Sequence, residues 1–213
     1  MHSKGSVEPP GAMNRRDFLR LSGVGIAGAA LFGVIGSGKV LAQALPDSSL
    51  AAEFEEAAER YDVPMGLLLA IGYVNTRWEM PPPEASAYEP GNPHGRGAYG
   101  IMQLVQNDSS NTLGEASELT GISEEELKTD RKSNILGGAA LLAESQGDKP
   151  PSIGDYFGAV AGKGGRGKPL EAVAGVGAGE LFAEQVFATL KGGSSATISS
   201  GEQVVLPSQD GES

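Results

Sequence analysis

The chain has 213 residues, with 16 Lys and Arg against 27 Asp and Glu, a formal net charge of −11. A surface this acidic repels nucleic acid and anionic membranes, which excludes both as partners held by charge. No cysteine is present, so no disulfide framework stabilises the fold.

The N-terminal region reads as a targeting segment. Asn14-Arg15-Arg16-Asp17-Phe18-Leu19-Arg20 is a twin-arginine pattern, and a Gly/Ala-rich apolar run follows from Leu21 to Ile35. Ala42-Gln43-Ala44 supplies a small-x-small cleavage site. The run is shorter than the roughly 20 apolar residues a spanning helix needs. Residues 1–44 are therefore expected to be a removed export signal and not a stable membrane anchor. The mature protein is expected outside the cell or in the cell wall. Removing the signal takes away Lys4, Arg15, Arg16, Arg20 and Lys39 but only two acids, Glu8 and Asp17, so the remainder is more acidic still. The lack of cysteine agrees with a pathway that moves folded chains.

Beyond Leu45 helical signals dominate. Asp47-Ser48-Ser49 can cap a first helix with apolar positions Leu50, Phe54, Ala57, Ala58 and Tyr61. Asp62 and Pro64 open a second, whose run Leu67–Ile71 is apolar on nearly every side, the mark of a buried helix. Pro81-Pro82-Pro83 is expected to end it, and residues 84–96 read as a loop. A helix is predicted over Thr112–Thr120, closed by Gly121. Ser123 with Glu126 reads as a capping box that starts a short acidic turn. Further helices are predicted over Asn134–Ser145, Ile153–Ala161 and the apolar positions Leu181, Phe182, Val186, Phe187 and Leu190. Two glycine-heavy stretches, Lys163–Gly167 and Ala174–Gly179, precede that last helix. Residues 192–213 are expected to be a flexible tail or the start of a linker. The expectation is an all-α single domain over residues 45–191.

Three short segments carry a resemblance. Leu67–Trp78 includes Val74-Asn75-Thr76. Gly97-Ala98-Tyr99-Gly100-Ile101-Met102-Gln103 reads G-A-x-G-x-M-Q. Ala161-Gly162-Lys163-Gly164-Gly165 forms a small-residue turn. Together they resemble the lysozyme-like domain of soluble lytic transglycosylases, and Asn134–Leu142 is similar to an architectural helix of that family. In the order Arg77-Trp78-Glu79, Gly97–Met102, Thr112–Gly121 and Asn134–Ala143, most of the mature chain is similar to the N-terminal region of secreted N-acetylmuramoyl-L-alanine amidases. There such a region precedes a zinc amidase domain.

The resemblance implies a groove for peptidoglycan glycan strands. It puts Asn75 where the family keeps its catalytic glutamate, and Lys163 nearest a tyrosine of the third signature. A carboxamide has no proton to give at neutral pH, so a binding role without cleavage leads. The implied substrate-binding residues are Asn75, Trp78, Gly97, Tyr99, Gln103 and Lys163. Trp78 reads equally as a sugar-stacking platform and as a core residue, while Tyr73 and Tyr156 read as core. Glu79, four positions after Asn75 and so one helical turn on, is the candidate for a substitute acid. Arg77 and Arg96 are candidates for a muramyl or stem carboxylate, or for ordinary salt bridges.

A zinc amidase site needs several imidazole or carboxylate ligands. The histidines are His2 and His94 alone, so no metal or other cofactor is expected and amidase activity is not. Gly164–Gly167 lacks the strand and the Gly-Lys-Ser/Thr order of a phosphate loop. Two alternatives stand beside the binding module. One is an active muramidase or transglycosylase using Glu79. The other is a structural or targeting remnant of a split amidase that needs an amidase domain or chain as partner.

Overall fold

The computed structural model describes residues 49–92, 95–148, 152–161 and 179–209. The segment expected to be an export signal, His94, Lys163 and the glycine stretch Gly164–Gly167 lie outside the described residues.

The apolar spacing of the first segment produces helix α1, Ser49–Tyr61, which buries Leu50, Phe54, Ala57 and Ala58 on one face. The chain turns at Asp62, whose φ is 52°, and Val63 N–H donates back to the Ala58 carbonyl. Helix α2, Met65–Thr76, follows. Pro64 stands just before it as the cap residue, its carbonyl accepting from Leu67 and Leu68. Residues Met65–Gly72 are all buried, as a helix apolar on every side requires.

The end of α2 differs from expectation. The helix stops at Thr76, before the prolines, because Arg77 (φ 58°) and Trp78 (φ 65°) are both left-handed. Trp78 N–H reaches the Gly72 carbonyl and Arg77 N–H the Tyr73 carbonyl, closing the last turn. The cause is the indole, which is fully buried and whose Nε1–H donates to the Leu69 carbonyl at 2.8 Å. Two left-handed non-glycine residues together cost about 2–4 kcal/mol. Burying an indole of ~200 Å² contributes about 4 kcal/mol or more, which offsets that cost.

A 3₁₀ turn, Pro83–Ser86, leads to a short antiparallel hairpin of β1, Ala98–Tyr99, and β2, Leu104–Val105. Helix α3, Thr112–Thr120, is capped by the Asn111 side chain and ends at Gly121. Helix α4, Glu124–Thr129, starts at Ser123, whose hydroxyl accepts from Glu126 N–H. The Glu126 carboxylate accepts instead from the Ser133 hydroxyl at 3.0 Å, tying α4 to the next helix. Helix α5, Arg131–Gln146, is capped by Asp130 and buried from Ser133 to Leu142. It packs on α1 and α3, while α2 packs on the last helix. The predicted helix over Ile153–Ala161 is a 3₁₀ turn, Ile153–Tyr156, running into one turn of helix, α6, Phe157–Val160. Helix α7, Gly179–Gly192, buries Phe182, Val186 and Leu190, but Leu181 points outward at 57% exposure.

The described residues are mostly helical, in line with the helical expectation, with two small two-stranded sheets beside the helices. The second sheet replaces the expected tail. Strands β3, Ser194–Thr197, and β4, Gln203–Leu206, pair antiparallel, and Ile198, Val204 and Leu206 join the core. Only alternate positions of β4 are buried, and β3 is made of small residues, so neither strand announces itself as apolar. Arg131 fastens this hairpin to the helices, meeting Glu53 of α1 and Glu202 of the hairpin at 2.7 Å each. The hydrogen bonds that Arg131 donates to Glu53, and then the one it donates to Glu202, hold the guanidinium charge more firmly than in free arginine, against the opposing effect of burial.

Candidate functional site

The Gly97–Gln103 segment forms the first hairpin and its turn. Ala98 faces Val105 and Tyr99 faces Leu104. Gln103 N–H closes the turn on the Gly100 carbonyl at 3.1 Å, and the Gln103 side chain donates to the same carbonyl at 2.8 Å. Gln106 N–H donates to the Gly97 carbonyl at 2.7 Å below the strands.

The two glycines have local reasons. Gly97 has φ 68°, and a Cβ there would lie 2.2 Å from the Gln106 carbonyl oxygen. Gly100 has φ 70°, and a Cβ there would lie 2.3 Å from the Asn134 carboxamide. Both are explained by the close approach of protein atoms, without a sugar beside them.

Asn134 is the residue the sequence reading undervalued. It is fully buried on α5, and its Oδ1 accepts from Met102 N–H at 2.8 Å. Its Nδ2 donates to the carbonyls of Tyr99 (3.0 Å) and Leu127 (2.9 Å). One carboxamide thus braces both ends of the turn and satisfies groups that burial would otherwise leave without water. Thr112 braces the other strand, accepting from Val105 N–H at 3.0 Å. The signal for Asn134 was a polar residue opening an apolar helical run, but nothing local says what it bonds to.

Asn75 meets this turn from the other side. It is half-buried near the end of α2, and its Nδ2 donates to the Met102 carbonyl at 3.2 Å, across 27 residues of chain. The Met102 backbone is therefore held at its N–H by Asn134 and at its carbonyl by Asn75. Of the residues expected in a site, Asn75, Gly97 and Gln103 are gathered at or beside this turn. Tyr99 is there too, though only 7% exposed, with its ring facing Lys128. Lys163 lies outside the described residues.

Two expectations are overturned. Trp78 cannot stack on a saccharide, because it is 0% exposed and packed 4.8 Å, centre to centre, from Tyr73. Glu79 is not one helical turn beyond Asn75, because α2 ends at Thr76 and two left-handed residues redirect the chain. Its carboxylate accepts from Ser199 N–H at 2.8 Å and from the Ser199 hydroxyl at 2.7 Å, so both oxygens are engaged by the second hairpin. Arg77 lies over the Tyr73 ring and donates to its hydroxyl. Tyr73 is half-buried, while Tyr156 is buried as expected. Burial, and then the charge of Asp62, pushes the Tyr156 phenol up.

A depression of about 340 Å³ lies elsewhere, lined by Tyr61, Leu119, Ala140, Ala143, Glu144 and Gly147. None of the residues expected from the sequence lines it. Among the described residues, no three of His, Cys, Asp or Glu gather as metal ligands. No helix among them is long and apolar enough to cross a membrane.

What the arrangement offers chemically is hydrogen bonding by amides. The carboxamides of Asn75 and Gln103 sit beside one braced turn, and the acid nearest in sequence, Glu79, is held by Ser199. No protein-family model matches the chain, and no curated protein matches it.

Proposed function

We propose that this chain is an exported cell-wall protein whose helical domain has a lysozyme-like groove and holds peptidoglycan glycan strands without cutting them. The observation that carries the reading is the contact of Asn75 with Met102. Two segments that resemble the transglycosylases, far apart in the chain, are adjacent, and the residue at the acid's position is an amide. Export rests on the twin-arginine segment Asn14–Arg20 and the cleavage site Ala42–Ala44. Cell-wall glycan is the partner, with an amidase chain as a second partner where the remnant reading applies.

The competing reading, cleavage by Glu79, is disfavoured by the engagement of both its carboxylate oxygens by Ser199. One experiment separates them. The mature chain from Leu45 is incubated with intact sacculi, and the pellet and the soluble products are analysed. Cosedimentation without new fragments is the expected result. Anhydro-muramyl or new reducing-end fragments would sink the non-cleaving reading, and absence of both binding and products would leave the structural remnant.

The Asn75→Glu variant sharpens the same point. A carboxyl group there faces the Met102 carbonyl, an acceptor, and so is favoured in its protonated, donating form. The expected outcome is lysis of sacculi where the parent protein has none. A folded variant that binds sacculi yet releases nothing would remove Asn75 from the acid's position.

A further inference from the structure

Lys128 differs from the two cations at the start of α5, which pair with acids. Arg131 is paired with Glu53 and Glu202, and Lys132 with Glu56. The Lys128 ammonium instead donates to Gln106 Oε1 at 2.7 Å and lies 4.9 Å from the centre of the Tyr99 ring. Among the described residues it forms no ion pair.

The natural partner is Glu124, one turn earlier on α4 and in the favourable acid-before-base order. That pairing is intercepted. Gln106 donates through Nε2 to Glu124 Oε2 at 2.7 Å while accepting from Lys128 through Oε1, so its carboxamide stands between acid and base. Gln106 is itself fixed by its N–H to the Gly97 carbonyl. The ammonium is thereby held beside an aromatic ring by a neutral group.

We infer that Lys128 is a carboxylate-recognition residue. It takes a carboxylate carried on the muramyl substituents of a glycan strand, either the lactyl group or the peptide stem. This rests on the glycan-binding reading above and gives that reading its selectivity. The turn that Asn75 touches at Met102 and the ring on which Lys128 rests belong to one hairpin, three residues apart. On this proposal, the substituents of a glycan held at the first lie near the second. In a protein of net charge −11, such a local cation offsets part of the repulsion that an anionic polymer meets. A lysine present only to cover Tyr99 would be replaceable by methionine, which keeps an apolar stem and loses the charge.

The test is binding of the mature protein and of Lys128→Met and Lys128→Gln to three ligands. These are glycan strands with peptide stems, strands stripped of stems so that the lactyl carboxylate is bare, and chitin oligomers, which carry no carboxylate. Both variants are expected to bind at least one carboxylate-bearing ligand about tenfold more weakly, the size of one charge-assisted hydrogen bond. Chitin oligomers should be bound as before. Loss confined to stem-bearing strands identifies the stem, and loss confined to stripped strands identifies the lactyl group. Unchanged affinity for all three ligands overturns the role of Lys128 while leaving the groove intact. An equal loss on chitin oligomers overturns it too, since charge would not be what was removed. If the parent protein binds none of the three, the glycan-binding reading itself falls.

Discussion

The two hairpins are of similar build and are held in opposite ways. The first, β1–β2, is clasped from within by neutral groups. Asn134 and Thr112 are buried, and Asn75 is half-buried. The second, β3–β4, buries Val204 and Leu206 beneath it but is fastened at its rim by charge, through Glu202 to Arg131 and Ser199 to Glu79. Buried neutral hydrogen bonds are worth most when removed, because their partners are left without water. The pair at the rim, about a fifth exposed, is worth less when Glu202 is neutralised, because Glu53 still holds the guanidinium and water and salt reach the site. The first hairpin is thus a rigid platform, suited to a recognition site. The second is an apolar lid over the core with a soft electrostatic edge.

Three substitutions bear on that contrast, the largest effect first. Asn134→Leu should destabilise the protein by about 3–5 kcal/mol in denaturant unfolding, since it strands the buried N–H of Met102 and the carbonyls of Tyr99 and Leu127. The loss should be the same in low and high salt. A loss under about 1 kcal/mol would mean that the platform is not held from within. Leu206→Ala should cost about 2–3 kcal/mol by loss of buried side chain. It should leave the first hairpin's amide-exchange protection intact, and deprotection there would show the hairpins to be one cooperative unit. Glu202→Gln should cost no more than about 1 kcal/mol, a difference that disappears in 1 M salt. A larger, salt-independent cost would make the rim as rigid as the platform and erase the distinction.

The fold was legible where one local cause acts alone. Thr112–Thr120 ends at Gly121 as expected, and α1 buries its predicted apolar face. It was not legible at the end of α2. A helical reading carried through Trp78 put Glu79 over Asn75, but burial of the indole forced two left-handed residues that no local propensity favours. The candidate site divides the same way. The Gly97–Gln103 motif could be read directly, and its glycines are required by their φ angles. That Asn134 fills the space beside Gly100, or that Gln106 parts Lys128 from Glu124, depends on residues 18 to 34 positions away.

The sequence by itself therefore determined the helical character, the buried central helix and the glycine turn, because periodicity and positive φ are properties of neighbouring residues. It also determined the acidic balance and the amide at position 75, which are matters of composition and identity. Only the tertiary structure decided that Trp78 is core, that Glu79 belongs to Ser199, and that the last described segment is a hairpin. Each of these depends on free energy gained between distant segments, by apolar burial or by satisfying a polar group. No window of neighbouring residues contains both partners of such a contact.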